Sequence, residues 1–457
     1  MNRLGEEIEK TAWGPRRAAI IGGLWLLLLL CLPASGPAAE AAAGKAGPRL
    51  LTLAEALAIA AANNRDIEKA RAFMAWTEGK YLEERAAALP KLTAIGSLSQ
   101  DRDEGQKILG PAMTKWNQRG LAQISLTQPL FTWGQVSAAI RAAKVGLQSA
   151  DEQLRVYQQA AGRDVSAAFY DVLLAREMQA LAVQNLEQKK RHREEAQRKY
   201  QSGVATDYDV LAAEVSLENA RPEAIRSDNA IRTARERLRF LLALEGEEID
   251  ATGNLEAQPG PGLSYEAAFA LACRKRPDLA DLRYRIGIYQ EQVVLAASQD
   301  KPRLDLKGAY GWKSLEQKDA YGDGPAWDVG VQLSYPFFDG LRTKGRVIQA
   351  DSDLKRARID EAKQIDAIAL ETRSAVNALQ ESGEIVRALG GAVTQAERLL
   401  AMAEKGYALG VKTRLEVEDA ELNLRQAKSS LSRARRDLLV ARVNLDWVTG
   451  VLGEKEP

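Results

Sequence analysis

Two segments of the chain show the apolar spacing of a long coiled-coil helix. In residues 407–448, apolar side chains recur every seven positions, and mostly small ones recur between them at alternating steps of three and four. The first series is Val417, Leu424, Leu431, Leu438 and Leu445, and the second is Ala420, Ala427, Ala434, Ala441 and Val448. Such a seam predicts a helix packed along a partner helix, and the alanines predict a close approach.

A near copy of this seam runs from Val210 to Leu241. The residues that introduce the copy, Gly203, Val204 and Thr206, lie 207 positions before Gly410, Val411 and Thr413. A constant offset of this kind indicates a tandem duplication. We therefore divide the chain into an N-terminal segment (1–43), a first repeat (44–262) and a second repeat (263–457).

Each repeat predicts one very long helix that turns back at a glycine into a shorter returning helix. The predicted long helices are 136–200 and 341–407, and the predicted returning helices are 206–245 and 413–450. At 1.5 Å per residue, each long helix would span about 100 Å. We expect Pro222 to interrupt the first returning helix, with a local kink or a loosened turn there. Shorter helices capped by Asp66 and Asp278 must stack end to end with the returning helices to match their long partners.

Each repeat also predicts a β-hairpin, at about 91–131 and 303–338. Apolar and polar side chains alternate along these strands, most clearly in the second repeat. Its apolar positions are Leu304, Leu306, Tyr310 and Trp312 on one strand and Trp327, Val329, Val331, Leu333 and Tyr335 on the next. Alternation fits either a half-buried soluble sheet or a transmembrane barrel with apolar side chains facing lipid.

Strand length, aromatic residues near the strand ends and an N-terminal export segment favour the barrel. Four strands cannot close a barrel, and an open edge in lipid would leave backbone groups unpaired. If the sheet spans a membrane, several chains must share it.

The N-terminal segment has the features of a secretory signal. Arg16 and Arg17 precede an apolar run from Ala18 to Leu32, and small residues follow it. The run is short for a membrane span, so we expect cleavage rather than an uncleaved anchor. Leucines precede Cys31, which argues against lipidation. Cys273 would then be the only cysteine of the mature chain, buried and without an internal disulfide partner.

Charge and residue chemistry exclude several functions. The chain has 63 Lys and Arg against 62 Asp and Glu, a balance that argues against nucleic acid as a partner. His192 is the only histidine and lies in a charged stretch, so we expect a surface residue rather than a general base. We find no metal-binding constellation, phosphate loop or dinucleotide motif. We predict no enzyme activity, no cofactor and no metal.

Several short segments resemble the TolC-like outer-membrane channels of tripartite efflux and type I secretion systems. They include NNRDI and KRPDL before the second helices, LPKL and KPRL before the strands, and QPLF and YPFF after them. The most specific segments are the turns, KYQSGVATDYDVLAAE and KGYALGVKTRLEVEDAE. The resemblance covers nearly the whole mature chain. It implies a mainly α fold with a transmembrane β portion: duplicated long helical hairpins in a coiled-coil barrel, and four strands per chain in a shared trimeric 12-stranded β-barrel.

The resemblance also implies functional residues near the turns. The acidic positions that constrict the family's periplasmic aperture correspond to Glu416 and Asp419, and the linking partners correspond to Asp209, Tyr407 and Lys412. Glu416 and Lys412 stand where the family has aspartate and arginine, so the closed state would be less firmly held. The alternative is that Glu416 and Asp419 are ordinary exposed helix residues.

The function implied is an outer-membrane exit duct with a long periplasmic extension, which conducts small molecules or polypeptides. A homotrimer in outer-membrane lipid would receive them from an inner-membrane RND or ABC transporter through a periplasmic adaptor protein. The adaptor would dock at the hairpin tips, Gly203, Val204, Thr206, Gly410, Val411 and Thr413. Two alternatives remain: a periplasmic coiled-coil scaffold without channel activity, and a general diffusion porin, which the dominance of helices disfavours.

Overall fold

The computed structural model describes residues 49–101, 117–256, 263–317 and 320–453. In chain order, its elements are β1 (Arg49–Leu51), α1 (Leu53–Asn63), α2 (Arg65–Ala86), β2 (Lys91–Asp101), β3 (Asn117–Phe131), α3 (Gln135–Gln201), α4 (Asp207–Leu242), β4 (Ile249–Ala251), α5 (Tyr265–Lys275), α6 (Pro277–Ala297), β5 (Arg303–Gln317), β6 (Ala320–Ser334), α7 (Arg342–Ala408) and α8 (Arg414–Val448). The predicted signal segment and Cys31 lie outside the described residues.

Two 67-residue helices, α3 and α7, organise the fold. The returning helices α4 and α8 pack along them, and α8 lies against both α3 and α7. The shorter helix α6 also lies between α3 and α7, whereas α2 packs on α3. Thus α6 and α8 share one column and α2 and α4 share another, the end-to-end arrangement expected from the helix lengths.

The largest apolar core lies halfway along α3, where its shorter partners α2 and α4 meet end to end. Val165, Val172, Leu238 and Leu242 are buried there. A two-stranded parallel sheet of β1 and β4 covers this region, and it contributes Leu51, Ile249 and Ala251 to the core. The sequence did not predict this sheet. Three-residue strands carry too little alternation to be recognised.

Polar side chains link the helices where two of them meet end to end. The sequence analysis assigned the N-caps at these points to the wrong residues. Asn64, not Asp66, is the N-cap of α2, because its side-chain oxygen accepts from the backbone N–H groups of Asp66 and Ile67. Its amide also donates to the carbonyl of Leu241 at 2.9 Å and so links α2 to the end of α4. Helix α6 has no side-chain N-cap, and Asp278 in its first turn pairs with Arg276.

Two further expectations need correction. Helix α4 is continuous from Asp207 to Leu242 and contains Pro222, so the proline does not interrupt it. Proline lacks the N–H of an interior helix position but already has helical φ, and packing along α3 can hold the helix together. Cys273 is only partly buried.

A separate four-stranded antiparallel sheet has the order β2-β3-β5-β6. Its apolar side chains alternate with small or polar ones, as expected, and those of β6 are strongly exposed: Trp327 73%, Val329 71%, Val331 60% and Leu333 67%. Strands β2 and β6 are the two edges and have no further strand partner within the described part of the chain.

Across the residues that the structure describes, no helix has the length and apolar character required to cross a membrane.

Candidate functional site

The two hairpin tips, between α3 and α4 and between α7 and α8, have the same backbone geometry. Gly203 and Gly410 both adopt φ of +73°, a left-handed conformation that glycine accepts without strain. The amide of Val204 donates to the carbonyl of Lys199, and that of Val411 donates to Gly406, both at 2.9 Å. These bonds satisfy carbonyls at the ends of the long helices.

A capping box opens each returning helix. Thr206 and Asp209 exchange two hydrogen bonds in α4, since the backbone amide of Thr206 donates to the carboxylate at 2.8 Å and the amide of Asp209 donates back at 3.3 Å. Thr413 and Glu416 form the equivalent pair in α8, at 2.7 and 3.3 Å. Glu416 and Asp209 therefore occupy equivalent positions of the two repeats, and both stabilise a helix start.

Lys412 compensates the charge of Glu416. Its ammonium group pairs with the Glu416 carboxylate within the same tip. This hydrogen bond, together with the backbone amide of Thr413, lowers the pKa of Glu416 to about 2. The amide of Thr206 similarly lowers the pKa of Asp209. Both carboxylates are ionised at neutral pH, and each has its hydrogen bonds inside its own tip.

The other predicted aperture residues make different contacts. Asp419 is exposed on α8. Tyr407, at the end of α7, accepts a hydrogen bond from the ammonium group of Lys199 at 3.1 Å, so it joins the two tips. Of these five residues, only Lys412 and Glu416 share an ion pair or side-chain hydrogen bond within the described part of the chain, although Tyr407 also packs against Val417 and Ala420 of α8.

A buried polar contact between α3 and α8 was missed from the sequence. His192 is not a surface residue: its side chain is 16% exposed, and that of Glu421 is 6% exposed. The Nε2 atom of His192 lies 3.3 Å from one carboxylate oxygen of Glu421, and Lys189 lies 3.7 Å from the other. A nearby ion pair, Arg414 with Glu195 at 3.7 Å, joins the same two helices. These contacts hold the returning helix α8 against α3.

Burial sets the charge states in this contact. Burial, and then the charges of Arg414 and Lys189, lower the pKa of His192 to about 4, so the imidazole is neutral at neutral pH. Burial also raises the pKa of Glu421. The Nδ1 atom of His192 and the Oε2 atom of Glu421 are buried without a hydrogen-bond partner in the described structure. Such atoms make the contact sensitive to protonation.

A family model described as "Outer membrane efflux protein" matches residues 56–244 and 269–451, which include both tips and both repeats. The chain belongs to the outer membrane efflux protein family. This membership confirms the family resemblance, the outer-membrane exit duct for efflux or type I secretion, and the transport rather than enzymatic role.

Relatives support the same assignment. The chain is 27% identical to the alkaline protease secretion protein AprF of Pseudomonas aeruginosa over 81% of its own length and 79% of that protein. It is 24% identical to the outer membrane protein TolC of Vibrio cholerae, over 73% and 77% of the two chains. The Campylobacter jejuni CmeC outer membrane channel has a similar structure, with a TM-score of 0.77 at 17% identity, covering 94% of this chain and 95% of CmeC. The predicted fold class, long helical hairpins with a β portion, is thereby confirmed.

We expect the variant His192→Gln to flatten the pH dependence of stability in this efflux-family chain between pH 6.5 and about 4. The packed state has the lower pKa, so the separated helices bind the proton first and the packed state loses stability as pH falls through this window. The full loss attributable to the imidazole is about 3 kcal/mol, since one pKa unit corresponds to about 1.4 kcal/mol. The thermal unfolding midpoint of detergent-purified protein, at neutral pH and near pH 4, measures it.

The wild type is the control for acid effects elsewhere in the chain. The raised pKa of Glu421 acts in the opposite direction, but both proteins contain this carboxyl group. The difference between their pH profiles therefore reports the imidazole. Identical profiles would show that the pKa of His192 is the same in the packed and the separated states.

Proposed function

We propose that three copies of the chain together form the exit duct. In the described part of one chain, the edge strands β2 and β6 of the sheet have no further strand partner, and the apolar face of the sheet is exposed. Antiparallel pairing of β6 of one copy with β2 of the next would remove every edge, which a membrane-spanning sheet requires. Three copies give twelve strands, the number implied by the family resemblance. The observation that carries this proposal is a sheet with open edges whose apolar face is exposed.

The helices would extend from this barrel into the periplasm. Strands β2, β3, β5 and β6 adjoin the same ends of the helices α2, α3, α6 and α7, so the tips lie at the far ends of α3 and α7. At 1.5 Å per residue, 67 residues extend about 100 Å. This length suits a tunnel across much of the periplasm, with the chain exported by the predicted signal segment.

The tips are the proposed docking surface for the periplasmic adaptor. Gly203, Val204, Thr206, Gly410, Val411 and Thr413 form the turns, and the side chains of Val204 and Val411 are 77% and 76% exposed. Tyr208 and Leu409 beside them are also exposed. Apolar side chains in a surface turn favour a protein partner. The adaptor would connect the duct to an inner-membrane RND or ABC transporter, which supplies the energy.

Glu416, Asp419, Asp209, Tyr407 and Lys412 are the proposed aperture residues. Threefold symmetry would repeat each acidic side chain around the passage, and such rings favour cations. The two acids differ in one respect. Glu416 is paired with Lys412 and caps α8, whereas Asp419 is exposed and has no ion pair or side-chain hydrogen bond within the described chain. Asp419 should therefore contribute more to the field in the passage.

We expect Asp419→Asn to reduce cation selectivity more than the double variant Glu416→Gln/Lys412→Gln. The double variant removes a neutral ion pair and leaves the net charge of the tip unchanged, while Asp419→Asn takes away an uncompensated negative charge. The reversal potential in planar bilayers under a salt gradient measures the difference. Each acid is replaced by its amide, which has a similar shape, and Gln can still cap the helix. Equal effects, or a larger effect of the double variant, would contradict this ranking.

The assembly itself is tested by mass and by extraction. The protein should require detergent to leave the outer-membrane fraction, and light scattering in detergent should give three times the mass of the mature chain. A monomer in detergent, or release by alkaline carbonate without detergent, would exclude the shared barrel.

A further inference from the structure

An open cavity of about 440 Å³ lies where the second β-hairpin joins α7. We call it the junction pocket. Among the residues that the structure describes, four basic side chains and one carboxylate line it: Lys301, Arg303, Arg342 and Arg346, and Asp339. The pocket is therefore strongly basic in a chain whose overall charge is balanced.

Only part of this charge is neutralised by neighbouring side chains. Lys301 pairs with Asp300 at 3.2 Å, and Arg303 pairs with Asp305 at 2.9 Å. Arg346 donates to the neutral side chain of Gln299. Arg342 has no side-chain hydrogen bond or ion pair in the described parts of the chain. Two guanidinium groups, those of Arg342 and Arg346, therefore have no carboxylate partner there.

The positions of these cations do not favour folding. Arg342, Lys344 and Arg346 lie in the first five residues of α7, whose first turn contains no acidic residue. The start of a helix carries partial positive charge and is stabilised by anions, not cations. Arg342 and Arg346 are also four residues apart, a spacing at which like charges repel. Apart from the hydrogen bond of Arg346 to Gln299, folding gives no reason for this arrangement.

The first repeat shows that the junction can be built without these charges. At the offset of 207, Gln135, Ser137 and Ala139 stand where the second repeat has Arg342, Lys344 and Arg346. Helix α3 nevertheless begins in the same way as α7 and has the same length. The strand-to-helix connection therefore does not require these charges.

The pocket opens on the polar face of the sheet. Arg303 and Ser334 are paired residues of β5 and β6, and both line the pocket. Their strand neighbours, Leu304 and Leu333, belong to the opposite, apolar face. In the proposed duct, the polar face borders the passage.

We propose that the junction pocket binds an oxyanion, the phosphate or carboxylate group of a solute or of an acidic polypeptide segment in the duct. The guanidinium groups of Arg342 and Arg346 would hold it by charge-assisted hydrogen bonds, for which the planar fork of arginine is well suited. The proposal that an anion binds depends only on the side chains of the pocket. The location of the pocket in the passage rests on the proposed function.

Titration calorimetry of the detergent-purified full chain with inorganic phosphate, at low ionic strength, tests the site. The variants take their residues from the equivalent positions of the first repeat. Arg342→Gln/Arg346→Ala replaces two arginines that line the pocket, and Lys344→Ser replaces a lysine just outside it. We expect the double variant to bind phosphate at least about tenfold more weakly, since charged hydrogen bonds are lost. Lys344→Ser should bind like the wild type. No phosphate binding by the wild type, or equal affinity in all three proteins, would overturn the proposal.

Thermal unfolding without phosphate separates binding from a structural role. The double variant loses the repulsion at the start of α7, which offsets the loss of the hydrogen bond from Arg346 to Gln299, so its unfolding midpoint should stay close to that of the wild type. A lower midpoint would show that the two arginines hold the fold together, and the proposal would fail. Neither measurement requires conduction, so the pocket and the duct can fail independently.

Nanodiscs distinguish a soluble anion from a lipid headgroup. A pocket reached from the passage should bind phosphate equally in zwitterionic nanodiscs and in nanodiscs that contain anionic phospholipid. Loss of phosphate binding only in the anionic lipid would show that a headgroup occupies the pocket, and would contradict its place in the passage.

Discussion

The double variant Val329→Lys/Val331→Lys is expected to lose assembly in the outer membrane completely. Both side chains lie on the apolar face of β6 and are strongly exposed in the single chain. If this face contacts lipid, each lysine near the bilayer midplane costs about 2–4 kcal/mol. Threefold repetition would place six such lysines in one barrel. Outer-membrane fractionation and the yield of detergent-extracted trimer measure the effect.

The matched control is Gln332→Lys, one residue further along the same strand. Gln332 lies on the polar face, so its lysine would project into water rather than lipid. This variant should assemble close to the wild-type level. Equal loss in both variants would show that β6 is buried on both faces, whereas normal assembly of Val329→Lys/Val331→Lys would show that the apolar face does not meet lipid.

Gly450→Ala is expected to lower the free energy of unfolding by about 2–5 kcal/mol. Gly450 follows α8 with φ of +77°, a conformation that costs alanine free energy. A Cβ atom there would also lie 2.7 Å from the carbonyl carbon of Lys275 and 2.8 Å from the amide nitrogen of Arg276. These are backbone atoms at the junction of α5 and α6, so they cannot rotate away. The thermal unfolding midpoint in detergent should fall by several degrees.

Gly246→Ala separates the two causes. Gly246 has the same φ of +77°, but no atom of the described residues lies within 4 Å of its added Cβ. Its substitution should cost only the conformational part, roughly 1–2 kcal/mol. The excess loss in Gly450→Ala measures how tightly the end of α8 packs on the α5–α6 junction. Equal losses would show that the junction yields to the extra methyl group.

The long helices and hairpins could be predicted because their signals repeat over many residues. Seven-residue spacing in α8 and strict alternation in β5 and β6 each provide many independent positions. The sheet of β1 and β4 provides three residues per strand, paired across some 200 positions of sequence. Neither local propensity nor periodicity reports such a contact.

The site was only partly visible in the sequence. Its turns could be located from Gly203 and Gly410, and the Thr-x-x-Glu pattern of Thr413 and Glu416 could have revealed the capping box. The burial of His192 depends on how α3 and α8 rotate against each other, which one chain's charge pattern does not determine. Its polar contact with Glu421 therefore needed the structure.

Single-channel recording in planar bilayers tests the central claim, that copies of this chain enclose a passage through the outer membrane. Detergent-purified wild-type protein should give discrete, cation-selective current steps, and protein carrying Val329→Lys/Val331→Lys should give none, because it does not assemble. Absence of current from wild-type protein that leaves the cell envelope without detergent would contradict the duct and support a periplasmic coiled-coil scaffold.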